Sequence, residues 1–275
     1  KGIDIVDLSL GEPYFDTPLH IRQAAKDAID AGYSHYTPVS GYADVREAIS
    51  KKFLDENKLT YTPDQIVIST GAKQSIMNAV LCLVNPGQEV LLPAPYWVSY
   101  KAMVQLAEGV PVVMPTTIET DFKISATQLE AAITDKTKLI IFSSPCNPTG
   151  SVYSKEELLA IAEVIAAHED LYVVSDEIYE KINFTAHHES IAQFDFIKDR
   201  VIVVNGLSKG YAMTGWRLGY IGAPLWIAKA CDKMQGQFTS ATNSITQRTV
   251  IAALLGTQQP TSHMKEEFLK RRNLC

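Results

Sequence analysis

The stretch NGLSKGYAMTGWRLGY, residues 205–220, places Lys209 at the end of an apolar run and Arg217 eight residues later. A lysine carried into a fold must be neutralised or paired. One placed there is either a cost or an amine used for chemistry. A desolvated amine can trap an aldehyde as a Schiff base, and a guanidinium fork suits phosphate. Asp176 ends a second apolar run, LYVVSD, with Tyr179 three residues on. A carboxylate at a strand end either caps a helix or meets a cation, and a protonated ring nitrogen would be such a cation.

Two further strand ends carry candidates. Gly71-Ala72-Lys73 follows QIVIST and opens a helix, where free N–H groups and the helix dipole favour a phosphate, although a plain tight turn would use the same glycine. The Walker A spacing is missing. Asn147-Pro148-Thr149-Gly150 follows KLIIFSSP; it reads as a turn, or as a turn that also points an amide into a site. Together these residues supply a phosphate cradle, a ring-nitrogen partner, an aldehyde-trapping amine and a second phosphate clamp. Pyridoxal phosphate (PLP) requires that set.

The elements that must position them follow from the apolar runs. QIVIST, EVLLPAP, VPVVMPTT, KLIIFSSP, LYVVSDEIY, VIVVNGLS and RLGYIGAP are nearly continuous rather than alternating, so both of their faces should be buried. Helical stretches separate most of them. The pattern predicts an α/β protein with three α/β/α layers and a mixed, mostly parallel sheet of about seven strands. RLGYIGAP follows its predecessor so soon that its strand is expected to be antiparallel. TPLHIRQAAKDAIDAG reads as a capped amphipathic helix starting at Thr17 and Pro18 and stopping at Gly32.

The totals exclude other classes. The 275 residues are 46% apolar with a net charge of −6, which suits a globular protein and argues against a nucleic-acid surface. Cys82, Cys146, Cys231 and Cys275 are scattered without a CxxC pair, as in the reduced thiols of a cytoplasmic protein. No apolar run is long enough to span a bilayer. His187 and His188 beside Glu189 read as solvent-facing residues of a polar loop, and no metal site is expected.

SKGYAMTGWRLGY, together with SDEIYE, SSPCNPTG, PAPYWVSY, STGAKQS, HYTPVSG and LSLGEP in that setting, resembles the class I/II aminotransferases of PLP fold-type I, and more narrowly the bacterial-type aspartate aminotransferases. The resemblance covers essentially the whole chain. It implies that Lys209 holds the cofactor as a Schiff base and shuttles a proton, that Asp176 keeps the pyridine nitrogen protonated, and that Tyr179 and Asn147 hydrogen-bond the ring's phenolic oxygen. Trp97 would stack on the ring. Arg217, Ser208 and the amides near Gly71, Ala72 and Lys73 would surround the phosphate, and Tyr36 would reach it from the partner of a homodimer. Gly11 would offer its amide to the substrate carboxylate, with Trp97 and Asn147 also lining the substrate's place. Lys73 would meet the side-chain carboxylate of aspartate or glutamate; a salt-bridged surface lysine is the alternative.

The implied reaction is transfer of the amino group of aspartate to 2-oxoglutarate. Prephenate or aromatic transamination, a β-lyase, and a PLP-binding module without catalysis are the alternatives. Two departures stand out. Gly206 occupies a position, three before the lysine, that is often serine in the wider family, implying slightly weaker phosphate binding unless a backbone amide substitutes. Family members also continue beyond RRNLC into a smaller domain bearing the arginine that grips the substrate α-carboxylate. Residues 1–20 are therefore expected to be a lead-in segment of that small domain and 21–275 the PLP-binding large domain. None of the arginines from Arg22 to Arg272 matches the gripping one, so this chain alone is expected to bind PLP but transaminate poorly.

Overall fold

The computed structural model describes residues 11–185 and 187–274, leaving residues 1–10 (with Leu8–Leu10 of LSLGEP), Ala186 and Cys275 outside the described residues. Among the described residues the apolar runs become β1 (Ile66–Ser69), β2 (Glu89–Ala94), β3 (Val110–Pro115), β4 (Thr137–Ser143), β5 (Tyr172–Asp176), β6 (Val201–Gly206) and β7 (Gly219–Gly222). They form one sheet in the order β1-β7-β6-β5-β4-β2-β3. β7 runs antiparallel to both neighbours, with Ile66 opposite Gly222 on one side and Gly206 opposite Gly219 on the other. The remaining pairs are parallel. The mixed sheet and its one antiparallel insertion agree with the sequence pattern.

Alternation along the strands divides the core in two. Val173, Val201 and Val203 pack with Val45, Ile49 and Phe53 of α2 (Ala43–Asn57) and with Leu158 and Ile161 of α6 (Lys155–Ala167). Val174, Ile202 and Val204 pack instead with Ile76 and Val80 of α3 (Ala72–Leu83), Tyr100 and Val104 of α4 (Ser99–Leu106), and Ile227 and Ala228 of α7 (Leu225–Phe238). Both faces are covered, which is why the strands read as unbroken apolar runs. The inner helix α6 starts where Ser154 and Glu157 cap each other, Ser154 Oγ accepting from the Glu157 amide at 3.2 Å and Glu157 Oε2 from the Ser154 amide at 2.7 Å.

One expected cap is not made. α1 (Leu19–Asp30) begins at Pro18 without a side-chain cap, because Thr17 Oγ1 donates to Ala212 O at 2.6 Å and ties the lead-in to the loop after Lys209. No helix among the described residues is long and apolar enough to cross a membrane.

The order of strands decides where a ligand can sit. The chain runs outward from β2 to β3, returns past β2 to form β4, and then continues the other way through β5 and β6. α4 leaves β2 toward one face and α6 leaves β4 toward the other. At such a reversal the carboxyl ends of adjacent strands part and leave a crevice.

Candidate active site

A cavity of about 330 Å³ opens at that crevice. β5 delivers Asp176, β6 delivers Ser208 and Lys209 just past its end, β4 delivers Asn147, and the segment after β2 delivers Trp97 and Tyr100. The start of α3 brings Ala72 and Lys73, and the turn before β7 brings Arg217. Tyr179 lines the same space. The residues singled out in the sequence thus converge, apart from Gly71, Gly11 and Tyr36, which do not line the cavity.

Gly71 and Gly11 lie beside it. Gly71 has φ +85° and forms the uncapped N-terminus of α3. A Cβ there would stand 2.4 Å from Arg217 Nη2, so only glycine lets the guanidinium rest against the helix start. Gly219 makes a still closer approach, since its Cβ would fall 2.1 Å from the Ala72 amide nitrogen. Arg217 itself has φ +53° and donates to Thr214 O at 2.8 Å. Gly11 accepts a hydrogen bond from Lys209 Nζ through its carbonyl. Tyr36 is 97% exposed and stands away from the cavity.

The electrostatics are uneven. Asp176 is 4% exposed, and its hydrogen bonds come from Tyr100 Oη at 2.7 Å and the Ile178 amide at 3.2 Å; among the described residues no cation is bonded to it. Burial raises its carboxyl to about 6 despite those donors. Lys209 is pulled below its ordinary value, first by burial and also by the Arg217 charge. Burial, then the Asp176 charge, pushes the Tyr179 phenol up to about 12, although Asn147 Nδ2 lies 3.4 Å from its oxygen. Lys73 is exposed at the rim with Nζ 4.8 Å from the Trp97 ring, which meets Tyr100 edge-on at 5.6 Å.

Tyr100 was not foreseen. Its signal was the position three residues after Trp97, which on a helix start turns it to the core side, but an inward aromatic in PAPYWVSY reads as packing. Ser143 and Thr214 also line the cavity without having been singled out. The Gly206 amide itself is taken by Asn205 Oδ1 at 2.7 Å, and a Cβ at Gly206 would come within 2.8 Å of Leu218 O. One expectation is corrected. His188 does not face water. It bonds Glu177 Oε2 at 2.8 Å behind the active-site strand.

That second carboxylate explains the histidine. Glu177 is 1% exposed and accepts from Ser175 Oγ at 2.9 Å and Ser190 Oγ at 2.5 Å as well as from His188. Its neighbour Glu180 is paired with Lys52, a lysine 1% exposed that also reaches Asn57 Oδ1 at 2.8 Å. Glu177, Glu180 and His188 offer ligand atoms within 4.8 Å of one another, but the ammonium of Lys52 and the serine hydroxyls already satisfy the carboxylates. Burial opposes ionisation of Glu180, and Lys52 and His188 outweigh it, holding the carboxyl at about 2. The stabilisation from this depressed group is complete above 4.5 and is lost as pH falls toward about 2. Replacing Lys52 by Met strands a buried carboxylate; a denaturant titration at neutral pH should lose about 3–5 kcal/mol of unfolding free energy. A loss under about 1 kcal/mol, the size of a surface pair, would show that water reaches the network.

Known proteins resemble this chain. Residues 3–275 match the family model described as aminotransferase class I and II. A bifunctional aspartate aminotransferase and glutamate/aspartate-prephenate aminotransferase of Petunia hybrida is 52% identical over 92% of this chain and 53% of its own length. An aspartate/prephenate aminotransferase of Cereibacter sphaeroides is 45% identical over 99% of the chain and 69% of its own length. The chain thus spans about half to two thirds of these relatives. The crystal structure of an aspartate aminotransferase from Rhizobium meliloti superposes with a TM-score of 0.96 at 42% identity, covering 97% of this chain and 67% of that one.

Proposed function

This chain belongs to the aminotransferase class I and II family, and from that premise we propose that it binds pyridoxal phosphate and moves the amino group of aspartate to 2-oxoglutarate in a ping-pong sequence. The observation that carries the reading is Asp176: a buried carboxyl, raised to about 6, bonded to no cation and lining the cavity that Lys209 also lines. A protonated pyridine nitrogen is the partner such a group lacks. The remaining donors fit the rest of the cofactor. The uncapped start of α3 at Ala72 and Lys73, with Arg217 against Gly71, is a seat for phosphate. In this reading residues 21–275 are the cofactor-binding domain and 1–20 a lead-in.

When bound, PLP supplies an aldehyde for the amine and a conjugated ring that takes up the electron pair released at the substrate α-carbon. The chain's residues do the rest. Asp176 holds a proton on the ring nitrogen, with Tyr100 orienting the carboxylate. Arg217 and the α3 amides anchor the phosphate, so that the ring is positioned before the substrate arrives. Asn147 and Tyr179, 3.4 Å apart, would both hydrogen-bond the ring's phenolic oxygen. Lys209, whose lowered pKa leaves more of its amine neutral and free to accept a proton, would take the proton from the substrate α-carbon and deliver it to the cofactor carbon two bonds away. Trp97 covers one face of the cavity and excludes water.

Lys73, exposed at the rim, sets the substrate class by meeting a second carboxylate. Prephenate is a second reading favoured by the names of the two relatives, and it too carries two carboxylates. Lys73→Ala should raise the KM for aspartate roughly ten- to hundredfold, the worth of one charge-assisted hydrogen bond, while aromatic amino acids are unaffected. An equal loss for both classes would assign Lys73 to the cofactor instead. In this reading Tyr36 completes the site of a second copy, and an apolar groove beside the cavity, lined by Met77, Leu81, Leu106 and Phe238, is part of the shared surface.

The test is a visible absorption spectrum of the chain with PLP, before and after aspartate. The expected result is a band that bleaches slowly as oxaloacetate appears, because this chain alone is expected to transaminate poorly. A band that aspartate leaves unchanged would retain the cofactor reading and overturn the aspartate half-reaction for this chain. Absence of any band would overturn both.

A further inference from the structure

α3 and α7 lie side by side on the sheet face that carries the cavity floor. Three pairs of side chains meet across them, each four residues further along α3 and four residues back along α7 or its cap. Gln74 bonds Thr239 at 2.6 Å, Asn78 bonds Gln235 at 3.1 Å, and the next step of the same register sets Cys82 against Cys231. A four-residue step on both helices keeps every pair on the facing ridge of an antiparallel packing. The third rung of this ladder therefore holds two free thiols in register. Cys231 is fully buried in the core, and Cys82 is partly exposed.

We propose that Cys82 and Cys231 form an oxidative modification site, a dithiol that a low-molecular-weight disulfide closes into one intramolecular bond between α3 and α7. The thiolate of Cys82 attacks one sulfur of the reagent, forming a mixed disulfide and expelling one thiolate. Cys231 then gives up its proton to that thiolate and attacks Cys82 Sγ. The protein bridge forms, and the second reagent thiolate leaves and takes up the proton that Cys82 first released. Two protein thiols are oxidised and one reagent disulfide is reduced to two thiols.

Exposure sets the order of attack, and the local chemistry agrees. The neighbouring Cys231 thiol lowers the Cys82 thiol, while Cys82 and burial raise Cys231. The accessible sulfur is thus also the better thiolate. Once Cys82 is a mixed disulfide, no neighbouring thiolate opposes ionisation of Cys231. The neighbouring rung resists separation, because Gln235 also donates to Val39 O at 2.9 Å and Ile68 O at 2.8 Å.

The experiment treats the folded chain with oxidised glutathione and maps its peptides without reduction. The expected product is a peptide pair joined through Cys82 and Cys231, with two thiols lost and both restored by a dithiol reductant. Cys231→Ser should instead stop at one glutathione on Cys82, and Cys82→Ser should leave Cys231 unmodified. The bridged chain is expected to melt at a higher temperature than the reduced one. A stable mixed disulfide on Cys82 in the parent chain, a bridge to Cys146 or Cys275, or a lower melting temperature on bridging would each overturn the proposal.

Discussion

Lys209→Ala should lower turnover on the order of a millionfold, the scale of losing a nucleophile whose one atom no neighbour can replace. Lys209 alone among the cavity's residues combines an amine with a lowered pKa and a place between Asp176 and Arg217. Lys73 sits at the rim, its ammonium over Trp97. Borohydride reduction followed by peptide mapping separates binding from chemistry: the parent chain should carry the cofactor on Lys209 after reduction, and the variant should carry none. A variant that kept turnover within a hundredfold of the parent, or that was labelled at another lysine, would remove Lys209 from its assigned role. Lys209→Arg should be as inactive as the alanine variant, since a guanidinium keeps the charge but cannot act as the amine.

The second large effect belongs to Asp176. Asp176→Asn removes the charge while keeping the shape, so the ring nitrogen loses its proton and the electron sink weakens. Turnover should fall on the order of ten-thousandfold, as when a buried carboxylate that fixes the protonation of a catalytic heterocycle is neutralised elsewhere. The same residue gives a readout without any reaction. In the cofactor-free chain its carboxyl titrates near about 6 rather than 3.8, because burial disfavours the charge. The folded state then binds a proton that the unfolded state has lost. Its contribution to stability is full below 3.8 and declines as pH rises through about 6, a span worth about 3 kcal/mol. Urea titrations of parent and Asp176→Asn across that interval should diverge by that amount, with the parent losing more. Bound PLP should remove the difference, and parallel curves in both states would show that water already solvates Asp176.

Much of this site was legible because each residue stands where a strand pattern stops. QIVIST, KLIIFSSP, LYVVSD and VIVVNGLS end in Gly71, Asn147, Asp176 and Lys209, and a mostly parallel sheet gathers such ends at one edge. What the pattern did not contain was pairing across the fold. Tyr100 reads as a core aromatic until the order β5-β4-β2 brings α4 over Asp176. His188 reads as a loop residue until Glu177, one position beyond the active-site carboxylate, is seen to turn to the opposite side and need a partner. Cys82 and Cys231 belong to no local motif; only the antiparallel docking of α3 and α7 puts them in register. Thr17 was a good cap by type, but a carbonyl at Ala212 competes for its hydroxyl, and composition says nothing of that competitor.

The contact between Gly219 and the Ala72 amide has a thermodynamic consequence. The seat proposed for phosphate joins segments far apart in the sequence, at Ala72 and at Gly219, which meet where β7 stands between β1 and β6. A chain in which β7 is undocked has strands, helices and even the Asp176 carboxyl, but it has no seat. Ligand affinity is then a property of sheet closure rather than of any loop. By mass action, a ligand that recognises only the closed form adds its binding free energy to closure and to nothing earlier. Under the function proposed above, the cofactor would act as a latch on β7 docking, and a substitution that loosens β7 should show itself first as weaker retention of phosphate.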